Sequence, residues 1–390
     1  MALARERLRS FIDLTESNPT RAGFTYPSGL LSSLTAEQGL TYEPAALGLP
    51  IAREAVAADY RRRDVSVRSD RIVITASTSE AYSLLFKLLC DPGDCVLVPR
   101  PSYPLFEHLT RLDAVEVSFY ELEYCGSWRI NVESIARAMT ARTRALLLVS
   151  PNNPTGSIVS AEELSAIGDL CSARGLAVID DEVFADYPLR EGLDAGCLNE
   201  PKALTFGLGG LSKTVGLPQV KLGWIAVGGP DDRVRAALQR LEVMCDAYLS
   251  VSTPVQWAAP RLLQEGASVR EQIRERIRAN YKHLAEAVRA HPSCTLLNLE
   301  AGWYAVIQVP SMLGEEALVL ELLERGDVLV HPGYFFDFPR EAFLVVSLLP
   351  RVSDFQIGIT RVLSYVEEIG RDRKDRKDGE DRKDEQRWER

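Results

Sequence analysis

The sequence predicts an α/β fold around a mostly parallel sheet, joined to a smaller second domain. Three observations point there. Short apolar runs alternate with helical patterns through the middle of the 390 residues, as strand–helix–strand units require. The run Leu146-Leu147-Leu148-Val149 is apolar without alternation, which suits a strand covered on both faces. From about Glu265 the pattern changes to a long charged helix and shorter strands.

The predicted strands of the large domain are 71–75, 95–98, 115–119, 145–150, 176–180, 203–206 and 224–227, with helices at 79–89, 161–173 and 231–245. The second domain carries a helix at 269–290, strands near 304–309 and 343–347, and helices near 315–325 and 355–368. The expected organisation is an N-terminal segment 1–37 joining the small domain, a large domain 38–265, a small domain 266–370 and a charged tail 371–390. The tail repeats Asp-Arg-Lys-Asp with almost no apolar content, so it is expected to be solvated, disordered or a frayed helix.

Composition narrows the function. The formal net charge is -10, which argues against a nucleic-acid surface. No stretch approaches the roughly 20 apolar residues of a membrane helix, and residues 1–7 lead into no apolar signal run, so a cytoplasmic protein is expected. The seven cysteines form no CxxC pair and none stands at zinc spacing with one of the four histidines. Free thiols, and no metal site, are the expectation.

The most informative segment is Gly210-Leu211-Ser212-Lys213-Thr214, followed eight residues after the lysine by Lys221. A lysine in a small turn after an apolar run can approach a phosphate-anchored aldehyde, and a second cation can hold the phosphate. Asp181 lies just past a predicted strand, at the carboxyl edge where α/β sheets bind ligands; a helix cap is the plain alternative. Ser77-Thr78-Ser79-Glu80 opens a predicted helix, where hydroxyls and free N–H groups favour an anion. Taken singly these signals are weak, and the turn Ser150-Pro151-Asn152-Asn153-Pro154-Thr155-Gly156 is more specific.

Together and in this order, the motifs resemble the class I/II aminotransferase family of fold-type I pyridoxal-phosphate enzymes, from about Asp13 to Glu368. The resemblance implies a large domain with a seven-stranded, mostly parallel sheet, a smaller α/β domain, and a homodimer with shared active sites. It implies pyridoxal 5'-phosphate as cofactor, Lys213 as its Schiff-base lysine and general base, and Asp181 as partner of the pyridine nitrogen. It implies that Ser77, Thr78, Ser79, Ser212 and Lys221 serve the phosphate end. Tyr103 would stack on the ring, Asn153 would donate to the ring oxygen, and Tyr42 would reach the phosphate of the neighbouring subunit. The implied reaction moves an amino group from an amino acid or amine donor to an oxoacid acceptor.

Three positions depart from the family pattern. Phe184 stands where a tyrosine usually bonds the ring oxygen, which predicts a raised pKa for the bound cofactor's imine. Lys221 replaces an arginine and loses its bidentate fork. Val345, in Phe343-Leu344-Val345-Val346-Ser347, falls where an arginine grips the substrate's α-carboxylate, and an apolar side chain cannot do so. Either Arg351 or Arg21 substitutes, or the substrate lacks an α-carboxylate, as an amine or amino alcohol does. A lyase, decarboxylase or cyclase of the same fold is the alternative activity. A silent regulatory homologue would carry a basic DNA-binding domain for which this chain has no room. Gly207-Leu208-Gly209-Gly210 lacks the third glycine and the acidic residue of a dinucleotide loop.

Overall fold

The computed structural model describes residues 11–190, 196–199 and 201–388, with side chains up to 371. In chain order its strands are β1 (Ile12–Asp13), β2 (Ile72–Thr75), β3 (Cys95–Arg100), β4 (Glu116–Tyr124), β5 (Trp128–Ile130), β6 (Thr143–Val149), β7 (Ala177–Asp181), β8 (Thr205–Gly210), β9 (Gly223–Gly228), β10 (Thr295–Leu296), β11 (Tyr304–Gln308), β12 (Val328–Leu329), β13 (His331–Pro332) and β14 (Phe343–Ser347). Two compact units divide the chain. One comprises Asn18–Glu275 with Asn298–Trp303; the other holds the residues before Asn18, Arg276–Leu297 and the chain from Tyr304.

The larger unit is built on an eight-stranded sheet in the order β2-β9-β8-β7-β6-β3-β4-β5. Neighbours from β8 through β7, β6 and β3 to β4 run parallel. The ends are antiparallel: β9 pairs both β8 and β2, and β5 folds back on β4. All seven strands predicted for this domain are present, and the short β5 adds an eighth at the edge. Two apolar clusters cover the sheet. One packs Leu85, Phe86 and Leu241 on Val96, Leu147, Ile179 and Ile225; the other packs Val56, Ala259 and Leu262 on Ile72, Leu222 and Trp224. Residues 145–149 of β6 and all of β7 are buried on both faces, which is why their sequences do not alternate.

The strand β8 runs on to Gly210, four residues past its predicted end, through glycines that read as a turn. Close packing explains it: a Cβ on Gly209 would lie 2.5 Å from Trp224 Nε1. The segment 18–37, expected with the small domain, belongs to the larger unit. Tyr26 Oη donates to the Gly216 carbonyl at 2.7 Å, and Leu30 is buried in the second apolar cluster. The division near the second domain falls at 275/276, inside the helix Ala267–Arg289 and ten residues beyond the expected 265/266.

In the smaller unit, β10-β11-β14-β13 form an antiparallel sheet and β1 pairs parallel with β12. Asn280 anchors the end of β14, donating to the carbonyls of Leu348 and Pro350 at 2.9 and 2.8 Å. The last helix spans Val352–Trp388, so helical backbone enters the charged tail. Residues 1–10, which carry the start of the expected N-terminal segment, and the tail's side chains from 372 lie outside what is described.

Candidate active site

Strand β7 ends in Asp181, which is 7% exposed. Tyr82 Oη donates to its Oδ2 at 2.8 Å, and the Val183 N–H donates to its Oδ1 at 3.1 Å. Burial raises the Asp181 pKa, while these two bonds and the nearby Lys213 charge oppose the rise. Tyr82 comes from the helix Thr78–Leu89, one turn after its start. The same helix presents the anion-binding end. Ser77 caps it by accepting from the Glu80 N–H at 3.2 Å. The amides of Ser77, Thr78 and Ser79 are left without intrahelical acceptors, as the first turn of any helix requires.

Lys213 lies in the one-turn helix Leu211–Thr214 that follows β8. Tyr187 Oη donates to its carbonyl oxygen. Its Nζ sits 4.8 Å from the ring centre of Trp303 and 5.7 Å from that of Phe184. Both aromatics are buried, and they meet edge-on at 5.4 Å. Burial pushes the ammonium down to about 8, with Asp181 pulling the other way.

Backbone packing draws the phosphate candidates together. The Leu211 N–H donates to the Leu222 carbonyl at 3.0 Å, which ties the Ser212–Lys213 turn to the residue after Lys221. Gly223 packs directly on the Ser77 backbone; a Cβ there would lie 2.9 Å from the Ser77 carbonyl carbon. Lys221 is exposed, with φ of 59°, and so stands at the rim rather than inside. Tyr103 is 38% exposed and packs edge-on against Phe106 at 5.9 Å, which in turn meets Tyr82 at 5.5 Å. Its hydroxyl feels the Asp181 charge.

The two asparagines of the 150–156 turn divide the work. Asn152 builds the turn: its Oδ1 accepts from Ser102 Oγ, and its Nδ2 donates to the Pro101 carbonyl and Thr155 Oγ1. Asn153 is 7% exposed, yet its side-chain oxygen has no hydrogen-bond partner. An orphaned buried amide is costly unless a ligand completes it.

The class I and II aminotransferase family matches residues 12–357. This chain belongs to that family. It is 26% identical over 368 residues to the glutamate-pyruvate aminotransferase AlaA of Escherichia coli, covering 91% of this chain and 90% of the other. The alanine aminotransferase of Mycobacterium bovis is 25% identical over 371 residues, with coverage of 91% and 85%. The fold matches a solved alanine aminotransferase from Pyrococcus furiosus with a TM-score of 0.86 at 23% identity, over 94% and 95% of the two chains. The protein is therefore a fold-type I aminotransferase of class I/II, and enzymes of this family use pyridoxal 5'-phosphate.

The side chains fit such a cofactor: a buried carboxylate at Asp181 held by Tyr82, open amides at 77–79 and a lysine of lowered pKa. Tyr42 stands apart as a 73% exposed ring. In the smaller unit, Val345 is fully buried in β14 and pairs with Val306 and His331. Sequence reasoning missed Tyr82, Tyr187 and Trp303. Tyr82 has a retrospective signal, four residues after Thr78 on the same helix face, and Tyr187 lies three residues after Phe184. Trp303 lies 90 residues beyond Lys213 in sequence with no local cue.

Proposed function

We propose that the Lys213 cluster holds pyridoxal 5'-phosphate and that Lys213 is the amine that binds it covalently and later moves the substrate's proton. Bound there, the cofactor supplies an aldehyde to which amines attach and a ring that withdraws electrons from the substrate carbon. Asp181, oriented by Tyr82, accepts a hydrogen bond from a protonated ring nitrogen and holds that proton in place. Asn153 would donate from its Nδ2 to the ring oxygen. The 77–79 amides and Ser212 receive the phosphate, with Lys221 adding charge from the rim, and Tyr103 covers the ring. Lys213 can take a proton at Nζ near neutral pH because burial has already weakened its hold on one.

The observation that carries this reading is the Lys213 amine, set against the buried Trp303 and Phe184 rings and close enough to the Tyr82-held carboxylate of Asp181 for their charges to interact. Borohydride reduction of the cofactor-loaded protein, followed by peptide mapping, tests it. The label is expected on Lys213, and a label elsewhere refutes it.

We further propose a homodimer in which the exposed Tyr42 and the neighbouring Leu40, 87% exposed, meet the partner subunit. Among the described residues no helix is long and apolar enough to cross a membrane, and a cytoplasmic enzyme is the reading adopted. The relatives' names point to alanine, glutamate and pyruvate. Val345 offers no cation for an α-carboxylate, so the amino donor either lacks one or is held by Arg351 or Arg21, and the reading adopted is a donor without one. A screen of amines and α-amino acids, read by loss of the bound cofactor's aldehyde absorbance, decides this. Faster reaction with alanine than with any amine would refute it.

A further inference from the structure

Three acids are buried in succession at the end of β7, and their charges are not equally answered. Asp181 faces Tyr82 and Lys213. Glu182 receives Arg63, with Nη2 at 3.1 Å from Oε2. Asp180 points to the face opposite Asp181, as strand alternation demands, and is fully buried. Among the described residues no cation pairs with it. Its Oδ2 accepts one long bond from the Cys197 N–H at 3.3 Å, and its Oδ1 has no partner. Glu182 Oε1, likewise buried, has none either. Buried carboxylates are ordinarily paired or bound to a metal, because an unanswered charge in a low dielectric is expensive.

The third member of this group is a thiol. One donor atom from each of Asp180, Glu182 and Cys197 lies within 4.8 Å of the other two. We propose that Asp180, Glu182 and Cys197 form a buried site for one divalent cation of the zinc class, on the opposite face of β7 from Asp181. The donor set selects the metal: thiolate sulfur with carboxylate oxygens suits zinc and disfavours magnesium or calcium. Charge agrees. Three anionic donors against the one guanidinium of Arg63 leave two negative charges for a divalent ion to neutralise. Tyr60 Oη, buried beside Glu182 and interacting with it, or a water, can complete the fourth position. Access exists, because Cys197 is only half-buried and lines a cavity of about 350 Å³ with Val178, Lys202 and Thr205. The spacing 180, 182 and 197 matches no cysteine–histidine pattern, which is why sequence reading expected no metal.

The test uses the full-length, cofactor-loaded enzyme, dialysed against a chelator and titrated with zinc, with bound metal counted by mass spectrometry after gel filtration. One zinc per chain is expected, with affinity reduced at least about tenfold in Cys197→Ser and in Asp180→Asn, and unchanged in Cys90→Ser. Cobalt in place of zinc is expected to give a thiolate charge-transfer band that Cys197→Ser abolishes. Thermal melting confirms that each variant is folded, and should Asp180→Asn fail to fold, Cys197→Ser decides alone. No retained zinc, or zinc retained equally by wild type and Cys197→Ser, would overturn the site.

Discussion

The lysine amine offers the sharpest quantitative prediction, because its environment acts on it in opposed directions. Burial pushes Lys213 from 10.5 down to about 8, while Asp181 pulls it upward; the Trp303 and Phe184 faces also favour the ammonium. The net displacement corresponds to roughly 3 kcal/mol of differential interaction. In cofactor-free protein at pH 7, about one amine in ten is then neutral, against about one in three thousand for an ordinary lysine. Replacing Trp303 by leucine removes a cation–π attraction of about 1 kcal/mol and should lower the Lys213 midpoint by a further ~0.7 units. Asp181→Asn should lower it too, since it deletes the charge that raises it. Competitive acetylation of the cofactor-free enzyme across pH 6 to 11, with peptide-resolved mass spectrometry, measures the midpoint directly. The linkage has a definite sign. Between the folded midpoint near 8 and the unfolded value of 10.5, the unfolded chain binds more protons. This group's contribution to folding stability therefore becomes less unfavourable as pH rises through that window. A wild-type midpoint near 10.5, or an upward movement in Trp303→Leu, would refute the argument.

Removing one hydroxyl, in Tyr82→Phe, deletes a bond to the Asp181 carboxylate worth roughly 1.5–3 kcal/mol. Because that bond lowers the Asp181 pKa, the acid limb of the kcat/KM profile should move to higher pH and activity should fall about tenfold or more. Phe184→Tyr should restore a donor near the cofactor's ring oxygen and shift the pH titration of the bound cofactor's absorbance downward; no shift would mean that position 184 does not address the oxygen. In the sheet, Gly209→Ala places a methyl 2.5 Å from the buried Trp224 indole. Overpacking of that kind should cost about 1–3 kcal/mol in urea unfolding, and a change under about 0.5 would count against the contact.

What the sequence disclosed follows from the range of each physical signal. Apolar runs and helix caps are local, so β2, β3, β6, β7 and β9 and the helix Thr78–Leu89 were expected within a few residues of their bounds. Lys213, Asp181 and Asn153 stand out in the sequence as candidates because each sits in a short stretch, at a turn or strand end, whose residue types are unusual. The glycines at 207–210 misled for the opposite reason. Their local character says turn, whereas the absence of side chains serves packing against Trp224 from β9. Segment 18–37 was assigned to the small domain because nothing local records that Tyr26 reaches Gly216, 190 positions away. Trp303 was invisible on the same ground. A residue that completes a site from a distant strand end leaves no mark on its own neighbours.

The end of β7 shows how one short stretch can serve several demands at once. A parallel strand delivers its carboxyl end to the ligand edge, and alternation gives each successive acid a different face. Facing Lys213, a carboxylate must remain ionised in a buried place, and Tyr82 and the Val183 amide do that by donating to it. On the reverse face Arg63 answers Glu182. Nothing among the described protein cations answers Asp180, so either a proton or an external cation must. Zinc would displace the thiol proton of Cys197 and any proton on Asp180, so its binding should release protons and weaken as pH falls.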